Sequence, residues 1–331
     1  MPARNRLAAI AAITLITTSS AMLLTACDPS GSPESASTPA SSGKSSASPG
    51  KSSAAPSSDG GASMNGTSAA NRLTISDGSN TVLMNGTSVD FGTAVRDLAW
   101  SPDGSRAAFI DGEGDLVVSA ADGTGRKIVA KNPGGRTWSH PTWQVYGKDD
   151  RGDHSGEQNL IFTAKQGGTL ELDVVDATAT GATPKPLPLA NSEDTTAQPP
   201  LTGNQWPNSG GPQGFTAYAN TDGQVYLRDD YVRLGGGATA KGSEPALAPD
   251  GRTVVFVRSV DGHDHLFEKT GYDHSEKDLT PDATTDYTEP AISHDGRTIA
   301  VRTPDGIYTL PIDGSAAPTR VSTRAGLPAY R

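Results

Sequence analysis

From Arg72 onward the apolar residues of this chain come in short alternating bursts, without the three-to-four spacing of a helix. RLTIS, AAFI, LVVSA, NLIFTA, TLELDVV, FTAYA, QVYLR, TVVFVR, TIAVR and GIYTL each read as a strand with at least one buried face. Between them fall Asp-Gly, Asn-Gly and Gly-Gly pairs, as in SDGS (76–79), MNGT (84–87), ADGT (121–124) and IDGS (312–315). Such pairs predict tight hairpins.

One hairpin recurs as a larger unit: WSPDGSRAAFI (100–110), LAPDGRTVVFV (247–257) and ISHDGRTIAVR (292–302). Pro102 stands where φ near −65° is wanted, and Gly104 where φ is positive. The Asp103 side chain can accept hydrogen bonds from nearby amides, so the turn is a clip between two strands. Asp250-Gly251 and Asp295-Gly296 are its counterparts. A metal or catalytic set shared by Asp103, Asp250 and Asp295 fails on geometry, because equivalent residues of repeated units are spread around a ring.

The spacing of the turn glycines counts the units. Gly251 and Gly296 are 45 residues apart, about one four-stranded propeller blade. Gly104 and Gly251 are 147 apart, which leaves room for two more units. HPTWQVYG (140–147) begins one and PLTGNQWP (200–207) the other, both with worn motifs. Units therefore start near residues 96, 140, 200, 244 and 288. The ends supply a sixth, with LPAYR (327–331) as its innermost strand and RLTISDGSNTVLMNGTSVDF (72–91) as its outer strands. The predicted fold is all-β: a six-bladed β-propeller of four-stranded antiparallel blades over residues 72–331, its ring closed by both termini. Closure leaves only short, protected strand edges.

The PDG turn, with an apolar strand before it and an Arg or Ser four residues ahead of a Phe-Ile or Phe-Val pair after it, resembles the TolB-like propeller repeat. That repeat also occurs in the propeller domains of prolyl-oligopeptidase-type enzymes. The resemblance implies the fold and says little about function. TolB itself works with partners of an envelope complex, but no partner-binding element of it is recognisable here, and that role is not carried over.

The strand before each turn carries more chemistry. DLAWS (97–101), HPTWQ (140–144), EPALA (244–248), EPAIS (289–293) and LPAYR (327–331) align, with a large apolar fourth residue that predicts packing between blades. The third residue is small, as suits an innermost strand crowded around an axis. The first residues are Asp97, His140, Glu244, Glu289 and Leu327. They predict three carboxylates and a histidine around one mouth of the central channel. Wet channel mouths tolerate charge with no further purpose. The functional alternative is a site for a cationic ligand or a weakly held metal, since facing carboxylates repel unless a cation or protons intervene.

Ahead of the repeats, Arg4 and Arg6 followed by LAAIAAITLI (7–16) have the form of a secretory signal over residues 1–26. Leu24-Thr25-Ala26-Cys27 resembles a bacterial lipobox, and Cys27 is the only cysteine. The resemblance implies cleavage before Cys27 and attachment of diacylglycerol to its sulfur; two acyl chains hold a protein on a bilayer stably where one does not. By resemblance to diderm lipoproteins, Asp28 favours the inner membrane; in a monoderm cell it means little. Residues 27–71 are rich in Ser, Ala, Pro and Gly and predict a disordered tether. The 43 residues 28–70 span roughly 35–40 Å r.m.s.. The expected location is the outer face of the bacterial cytoplasmic membrane, with the propeller held away from the lipid.

The net charge is −10. Such a surface argues against a nucleic-acid partner. There is no G-x-S-x-G elbow, P-loop, Rossmann glycine set or H-E-x-x-H, so neither catalysis, cofactor nor resident metal is expected. The reading is a monomeric, noncatalytic module for an envelope protein, peptide or glycan. The alternative is a propeller hydrolase or lyase acting on envelope peptides or glycans. The long insertions 144–158 and 188–214 are the expected contact loops. Three other features are set aside. His263, His265 and His274 sit in a polar stretch read as exposed loop, and Arg151-Gly152-Asp153 is an adhesion tripeptide by chance. Asn65-Gly66-Thr67 and Asn85-Gly86-Thr87 spell glycosylation sequons, but the lipobox points to bacteria and Asn85-Gly86 reads as a hairpin turn.

Overall fold

The computed structural model describes residues 65–147, 156–191, 197–230, 235–271 and 275–331. The signal sequence, Cys27, the tether as far as residue 64, the Arg-Gly-Asp tripeptide and His274 lie outside the described residues. Residues 59–331 form one compact unit.

Six four-stranded antiparallel sheets make up the fold. Blade 1 takes its inner strand, Leu327–Tyr330, from the C-terminal end and its outer three, Leu73–Ser76, Thr81–Met84 and Thr87–Asp90, from residues 73–90. Leu73 pairs with Tyr330 and Ser76 with Leu327, so the two ends of the propeller close the ring in one sheet. Blades 2 to 6 follow in chain order. Their inner strands are Arg96–Trp100, Thr137–Tyr146, Asn204–Gly210, Ser243–Leu247 and Thr288–Ile292. Each inner strand contacts those of the blades before and after it, and that of blade 6 contacts that of blade 1.

The recurring turn is built as its residues predict. Gly104, Gly251 and Gly296 have φ of +68°, +68° and +70°, where a Cβ is disfavoured. Asp103 Oδ1 accepts from the Ser105 amide at 3.0 Å, Asp250 Oδ1 from those of Arg252 and Thr253 at 2.8 and 2.9 Å, and Asp295 Oδ1 from that of Arg297 at 3.1 Å. Asn85 and Gly86 both have positive φ, +50° and +79°, as a two-residue hairpin requires.

The core is divided into six apolar clusters, one at each blade interface. The large fourth residue of the inner strand does pack between blades. Trp143 lies among Ala108, Ile110 and Leu160, and Tyr330 among Leu73, Ala300 and Ile307. The interface between blades 3 and 4 adds polar contacts between its inner strands to its apolar cluster. There the fourth position is Ser209, whose amide donates to Thr142 Oγ1 at 2.9 Å, and Gln144 Nε2 donates to Asp230 at 2.7 Å. The repeat motif is worn in these two blades, whose inner strands meet through hydrogen bonds while Ile161 and Leu172 pack against Tyr218 and Tyr226 on the second and third strands.

Two boundaries move. Residues 65–71, assigned to the tether by composition, are seated on the propeller. Asn65 Nδ2 donates to Gly86 O at 3.0 Å, the Gly86 amide donates to Thr67 Oγ1 at 3.0 Å, and Thr67 is buried. Both insertions are shorter than read: Gln144–Tyr146 and Glu157–Gln158 are paired strand, and so is Asn204–Gly210.

Candidate functional site at the channel mouth

Five of the six inner strands carry the same irregularity at their first aligned position. In blade 2, Arg96 pairs with Ile110 and Ala99 with Ala108, so Asp97 and Leu98 together face the single residue Phe109. His140-Pro141 face Phe162 in the same way, Trp206-Pro207 face Tyr218, Glu244-Pro245 face Phe256, and Glu289-Pro290 face Val301. Each is a β-bulge, and the residue opposite is 0% exposed in every case. Proline suits the second bulge position because it has no N–H to give to the ladder. The first bulge residue takes a left-handed conformation, with φ of +54° at Asp97, +51° at His140, +50° at Trp206, +48° at Glu244 and +53° at Glu289. Non-glycine residues take this conformation at an energetic cost, and it turns their side chains out of the sheet alternation. In blade 1 Leu327 pairs regularly, without a bulge.

The bulges bring the predicted residues together. Asp97, His140, Glu244, Glu289 and Leu327 all line one cavity of about 530 Å³ that runs along the six inner strands. Pro102, Pro249 and His294 line it at the other end of the same strands. A bulge also removes the N–H of its first residue from the ladder, and the preceding blade supplies an acceptor. The His140 amide donates to Asp97 Oδ2 at 3.2 Å, that of Trp206 to Thr163 Oγ1 at 3.1 Å, and that of Glu289 to Glu244 Oε2 at 2.6 Å. Asp97 and Glu244 are therefore interblade clasps as well as mouth charges.

Across the axis, His140 Nε2 lies 3.4 Å from Glu289 Oε1. The His140 ring meets Trp206 edge-on at 5.7 Å. Burial, and next the Glu289 carboxylate, push Glu244 up to about 7. For His140, burial disfavours the charged ring, but the bond it donates to Glu289 and the charges of Asp97, Glu289 and Glu244 outweigh it and raise the imidazole above its ordinary value. The mouth thus holds more negative charge than its own groups neutralise.

Trp206 is the sixth mouth residue and is missing from the aligned set above. Its signal is the proline after it: Trp206-Pro207 matches His140-Pro141, Glu244-Pro245 and Glu289-Pro290. The first part of the histidine-rich stretch is strand rather than exposed loop. His263–Thr270 is a strand, His265 is buried against Asp278 with Nδ1 2.9 Å from Oδ2, and His263 faces Asp286 instead. The strand is masked in the sequence because only Leu266 and Phe267 are apolar, and its buried positions include the paired His265 and Lys269. Among the described residues, no group of three or more His, Cys, Asp or Glu is placed to hold a metal ion.

A ring of six four-stranded blades around a central channel, closed by its own ends, defines the chain as a β-propeller. No protein-family description matches it, and no curated protein does. Among solved structures it is similar to TolB from Acinetobacter baumannii, with a TM-score of 0.54 and 15% identity over 78% of this chain and 65% of that one. The chain thus spans about two thirds of that protein's length. It is also similar to a putative TolB from Agrobacterium tumefaciens, with a TM-score of 0.53 and 17% identity over 77% and 90% of the two chains. The fold is that of a TolB-like propeller.

Proposed function

We propose that this chain is a noncatalytic binding module of the bacterial envelope, anchored through lipid on Cys27, that receives a cationic group of a protein, peptide or glycan partner at its acidic channel mouth. The observation that carries this reading is the convergence of Asp97, Glu244 and Glu289 with His140 on one cavity, from four different blades. A volume of about 530 Å³ lies within the range of ligand sites. Trp206 adds an aromatic wall, and its indole N–H is buried without a partner among the described residues. Strained backbone at five successive mouth positions supports the same reading, because such strain gathers at working sites. The lipid anchor and tether would keep this mouth within reach of other envelope components.

The test is affinity capture from detergent-solubilised membranes, with the compact unit Asp59–Arg331 as bait beside its E244Q/E289Q double variant. The expected result is a partner retained by the wild type and lost by the double variant. Identical captured sets would remove the mouth from the account. An activity screen on envelope peptides and glycans is the control for a catalytic role.

A further inference from the structure

The inner strand of blade 3 is flanked by those of blades 2 and 4, and that of blade 6 by those of blades 5 and 1. Blades 3 and 6 are therefore opposite each other in the ring. The contact between His140 Nε2 and Glu289 Oε1, at 3.4 Å, runs along the diameter of the channel and is not an ordinary bond between neighbouring blades. We infer that His140 and Glu289 form a proton-operated latch across the channel mouth, shut while the imidazole is charged and open when it is neutral. This inference rests on the mouth being the binding site proposed above, and it gives that site its regulation.

Charge decides the state because the pair is only half-buried, with side chains 24% and 20% exposed. An imidazolium gives Glu289 a charge-assisted hydrogen bond, whereas a neutral ring offers at best a neutral one in competition with water. Each bulge is paired into its blade on both sides, so side-chain rotation is enough to open the pair. Every element around His140 bears on its proton. Asp97 faces it from blade 2, Glu289 from blade 6 and Glu244 from blade 5, while Trp206 of blade 4 and Leu327 of blade 1 bring no charge. Glu244 in turn feels Asp264 of its own blade. Burial opposes the charge on His140, and the three carboxylates more than restore it. The sign follows: the latch is shut at acid pH and opens as pH rises through a value above about 6.5, the ordinary histidine range. A partner's cation would open it in the same way, by taking Glu289 from His140, and binding would release a proton.

Two measurements on Asp59–Arg331 test the latch without any ligand. In the first, the histidine ring signals are followed by NMR from pH 5 to 9 in the wild type and E289Q, with H140Q identifying the signal. The His140 midpoint should fall by about one pH unit or more in E289Q; an unchanged midpoint would overturn the latch. In the second, the methyl groups of Ala99 and Ala291, which line the channel, report relaxation by a small neutral nitroxide. The enhancement should rise severalfold from pH 5.5 to 8.5 in the wild type and stay high at both values in E289Q. H140Q should behave like E289Q, which covers the case where E289Q does not fold. Equal, pH-independent enhancement in the wild type and variants would also overturn the latch. Adding a short lysine-containing peptide at pH 8.5 separates the two proposals: a latch that opens while the peptide fails to bind refutes the binding reading alone.

Discussion

Glu244 gives the account a prediction with a definite size. Its carboxyl is held up to about 7 by burial and by Glu289, against about 4.3 in an unfolded chain. A carboxyl whose folded value is raised stabilises the protein while protonated. That contribution is complete below about 4.3 and is lost as pH climbs to about 7. At 1.36 kcal/mol per pKa unit, the folded state at pH 8 carries a penalty of about 3.5 kcal/mol. Glu244→Gln removes the charge and keeps a carbonyl oxygen to accept the Glu289 amide, now held at 2.6 Å. For a domain of this size, about 1 kcal/mol corresponds to roughly 2 °C or more in Tm. E244Q should therefore melt about 7 °C above the wild type at pH 8 and at nearly the same temperature at pH 4.5. Thermal denaturation followed by circular dichroism at the two pH values measures this, and comparing variant with wild type at each pH cancels the titration of other groups. A Tm difference that is zero at pH 8, or the same at both pH values, would refute the reasoning.

Three further outcomes are expected. Gly251→Val should destabilise by about 3 kcal/mol or more, because φ is +68° and a Cβ would lie 2.9 Å from the Phe215 ring; a Tm like that of the wild type would show that the turn is not a clip. Asp97→Ala should cost about 1–3 kcal/mol in a denaturant titration by leaving the His140 bulge amide unpaired, and Asp97→Asn should recover most of it. Deleting residues 327–331 removes the inner strand of blade 1 and Tyr330 from its cluster; it should abolish the cooperative thermal transition, whereas a sharp transition near the wild-type Tm would mean that the ring does not need its clasp.

The blade count was legible because each blade must end its inner strand in a tight turn, and Pro102-Asp103-Gly104 and its copies do so with residues that few other structures demand. The clasp was legible because Leu327–Tyr330 repeats an inner strand and residues 73–90 supply outer strands that lack one. The first-position residues could be aligned, but their convergence depends on bulges, and a bulge leaves only an X-Pro pair in the sequence. Trp206 was hidden because Asn208 and Ser209 replace the small and large apolar residues that identify the strand elsewhere. Their side chains and amides instead bond to neighbouring blades: Asn208 Oδ1 accepts from the Leu247 amide at 2.8 Å, and the Ser209 amide donates to Thr142. Alignment by apolar pattern passes over a strand held by hydrogen bonds. The contact between His140 and Glu289 could not be read at all, because they are 149 residues apart and meet only when six blades close a ring.

The central claim is that the acidic mouth receives a cation. Isothermal titration of Asp59–Arg331 with a short lysine-containing peptide at pH 8.5, beside the same peptide with its lysine acetylated, tests it most directly. The account predicts saturable binding of the first peptide, its loss in E244Q/E289Q, and no binding of the acetylated one. Equal binding of both peptides, or binding that survives in the double variant, would contradict it.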